Sequence, residues 1–206
     1  MNVLDFFIVA VAGYLLGAIP FAVIIARICG VDIFKFGSGN PGATNVKRAC
    51  GKKAGNVCFI LDALKGFVAA GWPLWAHFIG VNFENPAYLT YVGLVAAIVG
   101  HSFSVFIRFR GGKGVSTAIG GLCAVMFYAV LAALVVWVIV FYASRYVSLA
   151  SISMAAALPV AAALIYGYPN LHVYVAIVLA VLIIFRHRSN IVRLMKGTEN
   201  RFDRKK

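Results

Sequence analysis

Three polar blocks in an otherwise apolar chain hold the residues able to do chemistry. The first, Phe36 to Arg48, reads F-G-S-G-N-P-G-A-T-N-V-K-R. Gly37, Gly39 and Gly42 are interleaved with Ser38, Asn40, Thr44 and Asn45, and the basic pair Lys47 and Arg48 closes the block. Exposed N–H groups of a glycine-rich turn at a helix N-terminus favour an anion. Pro41 suits a first helical turn and Asn40 an N-cap. The pattern predicts a loop over 37–40 and a helix from about Pro41. Thr44 and Asn45 then share a helical face with Arg48. The block is a candidate phosphate or carboxylate site. The alternative is a plain tight connection between two membrane helices, which rarely needs so many small polar residues beside a basic pair.

The second block, Gly100 to Thr117, centres on R-G-G-K-G-V-S-T. Gly111, Gly112 and Gly114 let backbone N–H groups approach a ligand closely. Lys113 supplies a point charge, and Ser116 and Thr117 can cap the next helix or donate to an oxyanion. It is not a Walker A loop, because Gly114 follows Lys113 and Ile107 stands where the first glycine belongs. A basic interfacial turn is the alternative. The third block runs from His187 to Arg201. His187 and Asn190 are i,i+3 neighbours if the preceding helix continues past the membrane. His187 can shuttle a proton or donate to a phosphate, and Asn190 can orient a hydroxyl. Taken alone, this block reads better as a basic juxtamembrane helix on anionic lipid.

Several chemistries are excluded. There is no G-x-S-x-G, and no histidine is followed by an aspartate after four intervening residues. Cys29, Cys50, Cys58 and Cys123 show no zinc spacing. The acidic residues are too few and scattered for a metal cage, so neither metal nor cofactor is expected.

The elements that must position these blocks are membrane helices. The 206 residues are 63% hydrophobic and 12% charged, with mean hydropathy +0.93. That composition lies outside the soluble range. The net charge of +13 is bunched at the ends of apolar segments, as suits cytoplasmic loops, anionic lipid or phosphorylated substrates. Nucleic acid is not an expected partner, since no soluble domain exists to carry a groove.

The apolar segments fall at about 3–26, 55–79, 88–107, 147–166 and 171–186, with a long apolar run over 115–145. One helix through that run would leave Arg145 outside. It would also leave outside a tail holding Arg186, Arg188, Arg193, Lys196, Arg201, Arg204, Lys205 and Lys206, against the positive-inside rule. Two short crossings, about 115–127 and 129–145, restore the parity, with at least one partial or tilted. Gly120 and Gly121 allow close packing there, and Pro159 is expected to kink segment six. The expectation is an all-α integral membrane protein and a single polytopic domain over 1–206. It has about seven transmembrane helices, one or two of them short, with the N-terminus outside and the C-terminus cytoplasmic. The blocks over 36–53, 100–117 and 186–201 then share the cytoplasmic face. At membrane depth, Asp62 and Lys65 stand three apart, and a structural ion pair supporting the site is favoured over a catalytic part.

The three blocks resemble the bacterial PlsY family of membrane glycerol-3-phosphate acyltransferases. The matches are G-S-G-N-P-G-A-T-N-V-x-R over Gly37–Arg48, G-H-x-F-x-V-F-x-x-F-R-G-G-K-G-V-x-T over Gly100–Thr117, and H-x-x-N-I-x-R-L-x-x-G-x-E over His187–Glu199. The resemblance covers essentially the whole chain. It implies acyl transfer from acyl phosphate to the sn-1 hydroxyl of glycerol 3-phosphate, giving lysophosphatidate and phosphate. It implies that Ser38, Arg48, Lys113, His187 and Asn190 line the active site. It also implies that the glycine-rich second motif binds acyl phosphate and that Glu199 serves structural integrity. Membrane lipid and the enzyme that makes acyl phosphate are the partners it suggests, and a bacterial inner membrane the location.

Two other classes compete. A small organic-phosphate transporter explains the spans and cations, but would place its site near the bilayer midplane, where only Asp62 and Lys65 lie. A basic lipid-binding scaffold would not need Ser38, Asn45 or the glycines.

Overall fold

The computed structural model describes residues 2–202, so Arg204, Lys205 and Lys206 lie outside the described residues. Among these, all regular structure is helical. The chain divides into two compact units, Met1–Val125 and Met126–Lys206.

In the first unit, α1 (Val3–Ala18) starts where the Asn2 side chain accepts from the Leu4 N–H, and it ends before Pro20. Proline has no N–H to continue the ladder. The chain restarts as α2 (Phe21–Ile28), so the first apolar segment is one span in length with a break toward its C-terminal end. The third helix, α3 (Ala43–Trp75), begins after Gly42 and is interrupted at Gly51, whose φ of 88° is non-helical. This separates a short polar helix carrying Lys47 and Arg48 from the apolar span. Its end tightens into a 3₁₀ turn, Ala76–Ile79. Next come α4 (Pro86–Ser102), with Pro86 in the first turn, and α5 (Val115–Val125). Helix α3 lies at the centre, packed on α5, α4, α2 and α1. A Cβ at Gly120 would collide with the Ala63 backbone, so the expected close packing of small residues is present between α5 and α3.

In the second unit, α6 (Phe127–Ser144), α7 (Val147–Tyr166) and α8 (Leu171–Arg186) pack in sequence, with α7 in the middle. Helix α7 runs through Pro159 without a break. Asn170 caps α8 by accepting from the His172 N–H at 3.0 Å. The chain bends by 58° between α8 and α9 (Arg188–Met195).

Among the described residues, five segments are long and apolar enough to cross a membrane: Val3–Ile28, Ala43–Ile79, Pro86–Ile107, Phe127–Ser144 and Val147–Tyr166. The bent pair Leu171–Arg186 and Arg188–Met195 makes a sixth. Helix α5, at 11 residues, rises only about 16 Å, half the ~30 Å hydrocarbon thickness. Thus the 115–145 run is split as charge parity required, and α5 is the short member. Large apolar side chains stay exposed around both units, among them Phe7, Ile139 and Leu164. An apolar surface of this extent suits lipid contact.

Candidate active site

The first block folds as a glycine loop entering α3, but its cap differs from expectation. The helix starts at Ala43 rather than Pro41, and Gly42 holds the N-cap position without a side-chain bond. Asn40 instead lies within the loop, its N–H donating to Ser38 Oγ at 3.4 Å. The loop is pinned from inside by Asn45, 2% exposed. Asn45 Nδ2 donates to the Ile33 and Phe36 carbonyls at 3.3 and 2.9 Å, and Oδ1 accepts from the Ser38 N–H at 3.3 Å. Both amide protons and an acceptor position are thereby engaged. Asn45, expected as a substrate contact, is a loop anchor. Gly37 has φ 55°, and a Cβ there would approach Asn45 Oδ1 to 2.6 Å. Only glycine allows this turn over that anchor. Ser38, Gly39, Thr44, Lys47 and Arg48 are half-buried around it.

The second block is held against the first. After α4 the chain turns through Val105–Ile107. Phe109 N–H donates to the Ser104 carbonyl at 2.8 Å, and Ser104 Oγ donates to the Ala18 carbonyl at 2.5 Å. Gly112 N–H donates to the His101 carbonyl at 3.1 Å. The Arg110 guanidinium lies 4.8 Å from the Phe34 ring centroid, a cation–π contact to the segment just ahead of the first block. A Cβ on Gly112 would come within 2.8 Å of the Pro41 carbonyl and overlap the His101 ring. The two glycine loops therefore touch at Pro41 and Gly112. Lys113 and Ser116 are half-buried beside this contact, whereas Thr117 is wholly buried where α5 crosses Gly66 of α3.

Beneath the contact lies an ionic cluster. Lys65 Nζ is 2.7 Å from Asp62 Oδ1, with side-chain exposures of 3% and 1%. Lys65 Nζ also donates to the Ile19 carbonyl at 2.8 Å, where α1 breaks. His101 Nδ1 lies 3.6 Å from the same Asp62 oxygen. The Asp62–Lys65 pair read from i,i+3 spacing is present, and it reaches a cleft lined by Pro41, His101, Ser104 and Gly112. His101 has a place here that its sequence position alone did not reveal. The available signal was a histidine next to a glycine just before a basic glycine loop.

The third block lies in the second unit. Here the helix does not continue. His187, 3% exposed, sits at the bend between α8 and α9. Its Nδ1 lies 2.7 Å from the Ile183 carbonyl. A carbonyl only accepts, so Nδ1 carries the proton and any proton exchange falls to Nε2. Asn190, also 3% exposed, donates from Nδ2 to Glu199 Oε1 at 2.8 Å. Ser148 Oγ donates to the same oxygen at 3.0 Å, and Arg193 Nε to Oε2 at 2.7 Å. Burial would raise the Glu199 carboxyl, but the bonds from Arg193, Asn190 and Ser148 outweigh it and hold it below the usual carboxylate range. Glu199 thus organises its block, with Asn190 among the groups it holds. Among the described residues, no cluster of three or more His, Cys, Asp or Glu could hold a metal ion.

Fold and site together define an all-helical integral membrane protein with cationic, glycine-lined loops. The chain belongs to the glycerol-3-phosphate acyltransferase family, whose model matches residues 7–197, and is therefore an acyltransferase. It is 46% identical over 192 residues to a glycerol-3-phosphate acyltransferase of Aquifex aeolicus (strain VF5), covering 92% of this chain and 95% of the relative. It is 42% identical over 197 residues to that of Geotalea daltonii, covering 96% and 97%. A crystal structure of PlsY, an integral membrane glycerol 3-phosphate acyltransferase in its glycerol 3-phosphate form, superposes with a TM-score of 0.86 at 42% identity, covering 96% of both chains. The lysophosphatidic acid form of that protein superposes at 0.83.

Proposed function

We propose that this chain transfers a fatty acyl group from acyl phosphate to the sn-1 hydroxyl of glycerol 3-phosphate. The contact of two glycine loops at Pro41 and Gly112, with Arg48 and Lys113 on the loops and helix around it, carries the reading. Both substrates bear a phosphate; the second loop brings backbone N–H groups and Lys113, and Arg48 stands on the helix that follows the first loop. The glycerol hydroxyl oxygen attacks the acyl carbon and the new ester C–O bond forms. The acyl C–O bond to phosphate breaks, and the hydroxyl proton ends on the departing phosphate. Acyl phosphate is already activated and phosphate is a good leaving group. Positioning and charge stabilisation then suffice.

In this mechanism Arg48 and Lys113 hold phosphate, with Ser38 beside them. The N–H groups of Gly111 and Gly114 face the leaving phosphate, Gly112 holds the loop through its bond to the His101 carbonyl, and Gly37, Gly39, Asn40, Gly42, Thr44, Ser116 and Thr117 shape the two loops. Asn45 acts by anchoring its loop. His187 donates to the glycerol phosphate and Asn190 orients the hydroxyl. The proton acceptor is the donor's own phosphate, with His187 as the second candidate. The location is a bacterial inner membrane, with the N-terminus outside and the glycine loops facing the cytoplasm. The enzyme that makes acyl phosphate supplies the donor.

The test is a two-product assay on detergent-purified protein given acyl phosphate and glycerol 3-phosphate. Phosphate and lysophosphatidate should appear in equal amounts, with none from acyl-CoA. Arg48→Ala should lower kcat/KM by about 100-fold or more, the scale for losing one charge-stabilising donor. Turnover with acyl-CoA instead would overturn the donor assignment. Labelling of Arg145→Cys from the cytoplasmic side tests the topology; protection there would overturn it.

A further inference from the structure

His101 is not among the residues assigned above to substrate contact, yet it touches the second glycine loop in two ways. Its carbonyl accepts the Gly112 N–H at 3.1 Å. Its ring occupies the space a Cβ on Gly112 would need, and Pro41 of the first loop closes the other side. The ring is itself tethered. Nδ1 stands 3.6 Å from Asp62 Oδ1, which is 2.7 Å from Lys65 Nζ, and Lys65 is bonded to the Ile19 carbonyl at 2.8 Å. Cys58 Sγ completes the surroundings of Asp62, 3.7 Å from Oδ2. A chain of packed polar groups therefore runs from the break in α1, through the α3 span, to the loop bearing Lys113. His101 is 8% exposed and Asp62 is 1% exposed, so this tether is sheltered from competing water.

We propose that His101 is a positioning residue for the acyl donor: tethered through Asp62 to Lys65, it fixes where the Gly111–Lys113 loop stands against Pro41. The inference rests on the reading that this loop holds the donor's phosphate. A loop N–H displaced by an ångström loses the hydrogen bond it was aimed to make. The effect therefore falls on the substrate the loop serves and spares the other.

The experiment varies each substrate separately in steady state, with whichever donor the wild-type protein uses. His101→Ala should raise the donor KM at least tenfold while the glycerol 3-phosphate KM stays within twofold. His101→Asn, which keeps an amide nitrogen near the Nδ1 position facing Asp62, should recover part of that loss. Asp62→Asn combined with Lys65→Met removes both charges together and should reproduce the His101→Ala donor KM. A parallel thermal series in detergent reads the ring–loop contact without any donor. Gly112→Ala and His101→Ala together should cost less than the sum of the two, because removing the ring makes room for the new methyl. The proposal is overturned if His101→Ala moves both KM values equally or neither, if Asn recovers no more than Ala, or if the thermal effects simply add. Activity of the wild type with acyl-CoA alone would instead reject the donor assignment and leave the His101 result readable with that donor.

Discussion

Asp62 in the first unit and Glu199 in the second are both nearly sealed from solvent, at 1% and 5% side-chain exposure. They are stabilised differently. Asp62 lies on a membrane-length helix and is compensated by a whole charge, Lys65, with His101 at the edge of reach. Glu199 follows the last described helix and is compensated by the Arg193 charge at 2.7 Å together with directed hydrogen bonds from two neutral side chains, Ser148 and Asn190. Deep in an apolar span, few neutral donors are available, because the helix has already used its own N–H groups. There an opposite charge on the next turn is the compact solution. At a chain turn outside the span, side chains from several segments can converge. The first arrangement ties a rigid span to a loop; the second gathers a motif around one acceptor.

The largest test of this difference is to break the pairs one partner at a time. Asp62→Asn or Lys65→Met alone leaves a buried charge uncompensated. Each should destabilise by about 3–5 kcal/mol, read as a fall in the thermal midpoint in detergent. The double substitution should recover most of the loss; additive losses would mean that the two side chains do not act as a pair.

Glu199→Ala should cost about 2–3 kcal/mol, the scale of losing hydrogen bonds to a charged acceptor. Activity should fall with it, because Asn190 loses its partner. Glu199→Gln keeps one acceptor oxygen and should cost less than Glu199→Ala. An equal loss would show that charge, not hydrogen-bond geometry, holds the block.

Acid separates the second arrangement further. The Glu199 carboxyl lies below its ordinary 4.5 in the folded protein. Its contribution is therefore complete above pH 4.5 and is lost as pH falls from there through the lowered value. The stability difference between wild type and Glu199→Gln should be constant from pH 7 to 5 and shrink below 4.5. A gap that persists unchanged at lower pH would show that ionisation is not the source.

The smallest effect is a control. Lys35 and Asp32 stand 3.9 Å apart with exposures of 87% and 51%, and Lys35→Ala should change stability by less than about 1 kcal/mol. A larger change would remove the contrast between buried and exposed pairs.

Much of the fold was legible in the chain. Composition and hydropathy require membrane helices, because no other use exists for so much uninterrupted apolar surface. Segments 147–166 and 171–186 coincide with α7 and α8. The break in the 115–145 run followed from charge parity and falls at Met126, whose φ of −143° leaves the helical region. The glycine loops could be placed because glycine, proline and small polar residues have local conformational preferences that need no partner.

What tertiary structure decided is where long-range contacts override those local preferences. Asn40 has the chemistry of a cap, but Gly42 takes that position while Asn45 holds the loop from inside. The helix ahead of His187 does not run on; it bends by 58°, so the histidine sits at a corner. The partners of Lys65, Asp62 and His101 come from segments 46 and 39 residues apart, Ile19 to Lys65 and Asp62 to His101. No local periodicity encodes such a meeting. It exists because α3 packs on both α1 and α4, which also pack on each other, and burial then makes each polar group find its partner there.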